Sequence, residues 1–222
     1  MIDDFRQINT LFSELDSASD RKIRLYLLGG AVLLFHGLKP ATKDIDIVVQ
    51  SKREFNIFKN RLIECGFQPK IPDKGYTHLN LSQIFVRDDF RIDLFEKTVC
   101  KKAALSKNMI RRAKKVSGLK NLEVFLCSRE DIFFFKTMTE REGDLDDCMS
   151  LAKEGLEWKD ILDEVVHQAQ SSGNDVWVTW VGEKMDILQQ RGLVIPIMDK
   201  IHDIVKQYYA MIERKFDTAK DN

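Results

Sequence analysis

Apolar residues follow two different spacings along this chain, and the change from one to the other marks its elements. Ile8, Leu11, Phe12 and Leu15 recur at helical spacing and predict an amphipathic opening helix. Residues 24–28 are an unbroken apolar run after Arg24, read as a buried strand that stops at Gly29-Gly30. Residues 31–36 then predict a short helix closed by Gly37 and Pro40, and residues 44–49 the next strand. Ser51-Lys52-Arg53-Glu54 has the form of a capping box and opens a helix to about residue 65, with Phe55, Phe58, Leu62 and Ile63 as its apolar stripe. Two strand-like runs, 79–86 and 90–95, are joined by Arg87-Asp88-Asp89 and predict a hairpin.

Beyond residue 103 the helical period dominates. A basic helix is expected over 103–115 and a last strand over 122–127. Ser128, with Asp131 three residues on, then caps a helix to about 142. A short helix over 144–154 ends at Gly155. Three more helices follow, roughly 158–170, 174–191 and 196–216, broken at Ser171-Ser172-Gly173, Gly192 and Pro196. The pattern predicts an α/β (α+β) protein, a mixed sheet flanked by helices over residues 1–127 with a helical region over 128–222. No internal repeat is visible.

Composition narrows the class. With 44% hydrophobic and 32% charged residues in 222, the chain has enough apolar material for a packed core and is not disordered as a whole. No apolar run approaches the roughly 18 residues of a membrane span, and the opening residues are acidic rather than signal-like, so a cytoplasmic protein without a membrane is expected. Cys65, Cys100, Cys127 and Cys148 lie far apart without a CxxC pair, which predicts reduced, mostly buried thiols. The net charge of zero conceals an asymmetry: 23 Lys+Arg against 15 Asp+Glu in residues 1–125, and 12 against 20 in the remainder. Nine bases and no acid fall between Lys97 and Lys120, a candidate polyanion surface.

The candidate chemistry centres on Asp44-Ile45-Asp46. Strand alternation puts both carboxylates on one face, and a divalent cation with oxygen ligands, Mg²⁺ or Mn²⁺, would compensate their repulsion; a solvated strand carrying two acids is the plainer reading. Gly29-Gly30, between a strand and a helix, would let backbone N–H groups approach a phosphate, although glycines also make ordinary turns. Asp93 alternates against Phe90, Ile92 and Leu94, and so supplies a third carboxylate from a later strand.

This strand–Gly-Gly–helix, DxD and third-Asp series resembles the nucleotidyltransferase superfamily of DNA polymerase β type. The order Lys136, Arg141, Asp144 and Asp147 is further similar to the motif that follows the core in AbiEii-like nucleotidyltransferases and their uncharacterised archaeal and bacterial relatives. The resemblance spans about residues 24–152. It implies transfer of a nucleotide from an NTP to an acceptor hydroxyl, with catalytic, metal-holding roles for Asp44, Asp46 and Asp93. It also implies a triphosphate seat at Gly29 and Gly30, with Thr42, Lys43, Lys136, Arg141, Asp144 and Asp147 as further nucleotide-binding candidates. Plainer roles are a Lys136–Glu140 helix pair, a cap at Asp144 and a solvated acid at Asp147. Some AbiEii-like proteins are toxins that act on tRNA, which implies an RNA acceptor, here through residues 97–120, and an antitoxin-like partner.

His36, His78, His167 and His202 lack metal-ligand spacing, and Trp177, Trp180, Tyr208 and Tyr209 read as core or interface. Two other functions fit the acids or the bases alone. One is a metal-dependent phosphohydrolase, which generally recruits histidines; the other is a non-catalytic nucleic-acid-binding module, which has no use for three acids.

Overall fold

The computed structural model describes residues 1–18, 20–71, 81–99, 103–116, 119–139, 141–172 and 176–220. Its elements are α1 (Phe5–Ser17), β1 (Ile23–Leu28), α2 (Gly29–Phe35), β2 (Ile45–Val49), α3 (Lys52–Glu64), β3 (Gln68–Lys70), β4 (Gln83–Arg87), β5 (Phe90–Glu96), β6 (Thr98–Val99), β7 (Ala103–Ala104), α4 (Lys107–Arg112), β8 (Lys114–Val116) and β9 (Leu122–Leu126). The helices α5 (Arg129–Thr137), α6 (Glu142–Lys153), α7 (Trp158–Ser172), α8 (Trp177–Gln190) and α9 (Met198–Lys220) follow. The chain divides into two compact units, Met1–Ile132 and Phe133–Asn222.

In the first unit the strands form a seven-stranded mixed sheet in the order β3-β4-β5-β2-β1-β9-β8. β1 runs antiparallel to β2 and parallel to β9, and β2 runs parallel to β5. Because side chains alternate, this register sorts the central strands into two faces. One is apolar as far as Glu96 at the end of β5: Ile23, Leu25, Leu27, Ile45, Ile47, Val49, Ile92, Leu94, Leu122, Val124 and Leu126 are all buried. The other carries every ionisable group of β1, β2 and β9, together with Arg91 and Asp93. Tyr26 stacks on Phe125 there, ring centroids 5.1 Å apart, and Glu123 pairs with Arg24 and Lys115. Asp16, at the end of α1, accepts backbone hydrogen bonds from Lys120 (3.0 Å), Asn121 (2.6 Å) and Leu122 (2.6 Å), which fixes the start of β9.

Ser51 caps α3, and Glu54 reaches back one residue further than in a standard capping box. The Ser51 hydroxyl accepts from the Glu54 amide at 3.2 Å, and the Glu54 carboxylate accepts from the Gln50 amide at 3.2 Å and from the Arg24 amide at 3.3 Å. The β4–β5 hairpin turns through Asp88, at φ +51°.

Three expectations need correction. Residues 103–115 are not one helix: Ser106 caps a short α4 by accepting from the Met109 amide, Ala113 is extended, and Lys114–Val116 pairs with β9 as an edge strand. A run of bases has no strong period of its own, and the register that β9 offers to Lys114, Lys115 and Val116 decides the outcome. In α3, Ile63 is 44% exposed while Arg61 is 1% exposed, its guanidinium donating to the Arg21 carbonyl at 2.7 Å. β3, exposed throughout, gives no hydrophobic alternation and was not expected. Residues 79 and 80, His78 and Cys100 lie outside the described residues; Cys127 and Cys148 are buried free thiols and Cys65 is half-buried.

The second unit is helical. Phe133 and Phe134 meet Trp158 and Trp177 edge to face, at centroid separations of 5.4 and 5.9 Å. At Gly182 of α8, a side-chain carbon would come within 2.9 Å of Val205 on α9, so the glycine permits the close approach of these helices. Trp177 is core, whereas Tyr209 is 54% exposed. Among the described residues no helix is long and apolar enough to cross a membrane.

Candidate active site

The polar face of the sheet has one row in which the end of β1 meets two acids. The register reads Leu28 opposite Asp46, and Asp46 beside Asp93 on the next strand. Neighbouring strands are about 4.8 Å apart, so the two carboxylates are direct cross-strand neighbours. Gly29 follows Leu28 at φ +59°, and a side-chain carbon there would lie 2.2 Å from Asp46 Oδ2. A carbon on Gly30 would lie 2.3 Å from Thr42 Oγ1. The Gly-Gly turn is thus small because each glycine lies against a different polar side chain of the DxD segment. Thr42 is buried; its hydroxyl donates to the Asp44 carbonyl at 3.0 Å, and its backbone exchanges hydrogen bonds with Ile2 at 2.8 and 2.9 Å. Asp44 stands just before β2 and is half-buried, as is Asp46, while Lys43, between Thr42 and Asp44, is exposed.

Asp93 is 2% exposed, and both its oxygens are held: Arg91 Nε donates to Oδ1 at 2.6 Å and Arg91 Nη2 to Oδ2 at 2.8 Å. Arg91 went unassigned in the sequence, although its position two residues before Asp93 puts it on the same face. Carboxylate oxygens of this kind suit a hard divalent cation such as Mg²⁺ or Mn²⁺, and Asp44, Asp46 and Asp93 fit one in donor chemistry. As they stand, no three acidic, thiol or imidazole groups among the described residues are close enough together to hold an ion.

Residues 3–177 match a family model described as a nucleotidyltransferase of unknown function, DUF6036. The chain belongs to this nucleotidyltransferase family. Two solved structures are similar to it at low identity. The crystal structure of ANT(2″)-Ia in complex with adenylyl-2″-tobramycin shares 11% identity over 75% of this chain and 99% of that one, with a TM-score of 0.49. JHP933 from Helicobacter pylori shares 13% over 97% and 96%, with a TM-score of 0.38. No curated protein matches the chain in sequence.

The part of the nucleotidyltransferase matched by the family model includes the second unit's Lys136, Arg141, Asp144 and Asp147. Lys136 Nζ sits 2.6 Å from Asp144 Oδ1 and 2.7 Å from Asp147 Oδ2, all three side chains nearly buried, and Thr139 Oγ1 donates to the other oxygen of Asp144. Burial alone pulls the ammonium pKa down, but the two carboxylates more than reverse this and hold it above its ordinary value. Asp144 is the third residue of α6 rather than its cap; Arg141 holds the cap position without a side-chain cap bond and is exposed. Glu140 lies outside the described residues. Lys136→Met leaves two buried like charges facing each other and is expected to cost about 3–5 kcal/mol in urea unfolding. Since the folded pKa of Lys136 is raised, its contribution is complete below the ordinary value of 10.5 and is lost as pH rises through the folded one.

The basic segment of the nucleotidyltransferase is less free than its sequence suggests. Arg112 pairs with buried Asp131, Arg111 donates to Asn108, and Lys115 reaches Glu123 at 2.7 Å. Lys97, Lys107, Lys114 and Lys120 have exposed side chains, and Lys101 and Lys102 lie outside the described residues.

Proposed function

We propose that this nucleotidyltransferase moves a nucleoside monophosphate from an NTP to an acceptor hydroxyl, with Asp44, Asp46 and Asp93 holding Mg²⁺ or Mn²⁺. The observation that carries this reading is the row Gly29–Asp46–Asp93, where backbone free of a side chain lies against one carboxylate and a second stands beside it on the next strand. The acceptor hydroxyl oxygen attacks the α-phosphorus as its proton passes to Asp93, the bond to the β-phosphate oxygen breaks, and pyrophosphate leaves. A divalent cation supplies charge neutralisation for the triphosphate and lowers the acceptor pKa. The Gly29-Gly30 turn seats the triphosphate by backbone N–H groups, with Thr42 and Lys43 beside it. Asp93, fixed by Arg91, faces the acceptor.

RNA is the acceptor we favour, in line with the AbiEii-like, toxin-type resemblance, and the exposed Lys97, Lys107, Lys114 and Lys120 support it. The test is incubation with each labelled NTP, Mg²⁺, and total RNA, protein extract or small-molecule extract as acceptor. Label should enter the RNA fraction. RNA binding should weaken steeply with salt, and Lys107→Glu with Lys114→Glu should lower the slope of log affinity against log salt by about 1 for each phosphate that is no longer neutralised, leaving NTP binding as in the parent. Label confined to protein or small molecules rules out this acceptor, and an unchanged salt slope rules out the basic segment as its binding surface. Arg112 is left out of the variants because its reversal would face Asp131 with a like charge.

A further inference from the structure

The segment ahead of α1 reaches the site from outside the sheet. Ile2 and Thr42 form an isolated antiparallel bridge, in which the Ile2 amide donates to the Thr42 carbonyl at 2.9 Å and the Thr42 amide donates to the Ile2 carbonyl at 2.8 Å. Both backbone groups of Thr42 are thus engaged by one residue that precedes α1. The anchor is firm for two local reasons. The Ile2 side chain is 1% exposed, so burial holds the segment as well as hydrogen bonding. Asp4 caps α1 by accepting from the Arg6 amide at 2.8 Å, which fixes where the helix begins and with it where Ile2 can lie. Thr42 passes this anchorage on to the site. Its hydroxyl donates to the Asp44 carbonyl at 3.0 Å, and the same oxygen would lie 2.3 Å from a carbon added to Gly30. One side-chain oxygen therefore lies against both the backbone that carries the acids and the Gly-Gly turn, and it keeps that place only while the Thr42 backbone stays where Ile2 holds it.

We infer that Ile2 is a positioning residue: by clamping Thr42 it fixes the spacing between the Gly29-Gly30 turn and the DxD acids, and so aligns the triphosphate for attack. The inference rests on the proposed nucleotidyl transfer for the reaction that is aligned, but the clamp itself is readable without turnover.

The test compares the full-length parent with two changes at the clamp. Ile2→Lys puts a charge where the side chain is buried and so drives the segment off Thr42, whereas Ile2→Leu keeps the apolar contact and both backbone bonds. Leu15→Ala, at a buried position near the other end of α1, is the control for lost stability alone. Two quantities are measured at a temperature where every variant is folded: NTP turnover, with kcat and KM separated, and hydrogen exchange of the Thr42 amide. Ile2→Lys should lower kcat about 30-fold with KM for NTP within about threefold of the parent, because misalignment acts on the transition state more than on binding. Its Thr42 amide should exchange at least about tenfold faster, since the carbonyl that accepts from it has moved away. Ile2→Leu should keep kcat and Thr42 protection within about threefold of the parent, and Leu15→Ala should keep kcat within the same range. Parent kcat or parent Thr42 exchange in Ile2→Lys, or an equal loss of kcat in Ile2→Leu or Leu15→Ala, overturns the inference while leaving the proposed reaction standing. A parent that transfers no nucleotide, with Thr42 exchange still faster in Ile2→Lys, overturns the reaction and leaves the clamp standing. If Ile2→Lys does not fold, Ile2→Gln, which buries an amide in place of the charge, decides: a kcat about tenfold down with faster Thr42 exchange supports the inference, and parent kcat overturns it.

Discussion

Asp46→Asn is expected to stop nucleotidyl transfer while leaving the fold intact. Asp46 stands where the Gly29 turn and Asp93 meet, so in the proposed reaction its carboxylate lies between the triphosphate seat and the acceptor side. Loss of about 1,000-fold in kcat/KM corresponds to about 4 kcal/mol of transition-state stabilisation. The near-isosteric change at a half-buried position should leave the thermal midpoint in chelator close to that of the parent. Asp93→Asn should lose the same activity but behave differently as a protein. This change leaves Arg91 without its bidentate partner, and about 1–3 kcal/mol of stability should go with it. Urea unfolding of the two variants side by side separates these roles. Parent-level transfer by Asp46→Asn would remove this acid from the mechanism.

Gly29→Ala should be the most damaging single-carbon change in the first unit. Two costs add at this position. The backbone sits at φ +59°, which costs a residue with a side chain about 1–2 kcal/mol, and the new carbon lands 2.2 Å from Asp46 Oδ2. A loss of at least about 2 kcal/mol in unfolding free energy is expected, with transfer reduced to background because Asp46 must move. Gly30→Ala differs in being repairable: its conflict is with the Thr42 hydroxyl, so Gly30→Ala combined with Thr42→Ala should regain part of the lost stability, while Thr42→Ala should do nothing for Gly29→Ala. Equal rescue of both would show that the two glycines do not lean on separate side chains.

Much of the fold was legible because it rests on local pattern. The apolar runs at 24–28 and 122–127, the Ser51 box and the Arg87-Asp88-Asp89 turn each carry their signal within a few residues, and each produces the element expected. What escaped depends on distant partners. The edge strand at 114–116 exists because β9 offers it a register, and Arg61 is buried because the Arg21 carbonyl and Asp16 lie on chain some 40 residues earlier. At the site, the acids and glycines stood out by residue type, whereas Arg91, an ordinary surface residue by type, gains meaning only once two of its nitrogens are seen on Asp93. The basic run is harder to read from composition, which does not separate the exposed Lys97, Lys107, Lys114 and Lys120 from Arg111, Arg112 and Lys115, each paired with another side chain.

The position of β1 in the sheet bears on how the protein is made. Its two neighbours differ greatly in sequence distance: β2 follows within some twenty residues, but β9, which it pairs with along most of its length, lies 99 residues downstream. A nascent chain therefore presents β1 with one edge open until residue 126 has left the ribosome, and pairing that late is slow because a long loop must close first. The Asp16 carboxylate, which gathers the amides of 120–122, is the contact that would end the wait. Chains truncated before β9 should then aggregate through that open edge rather than accumulate as a smaller active core.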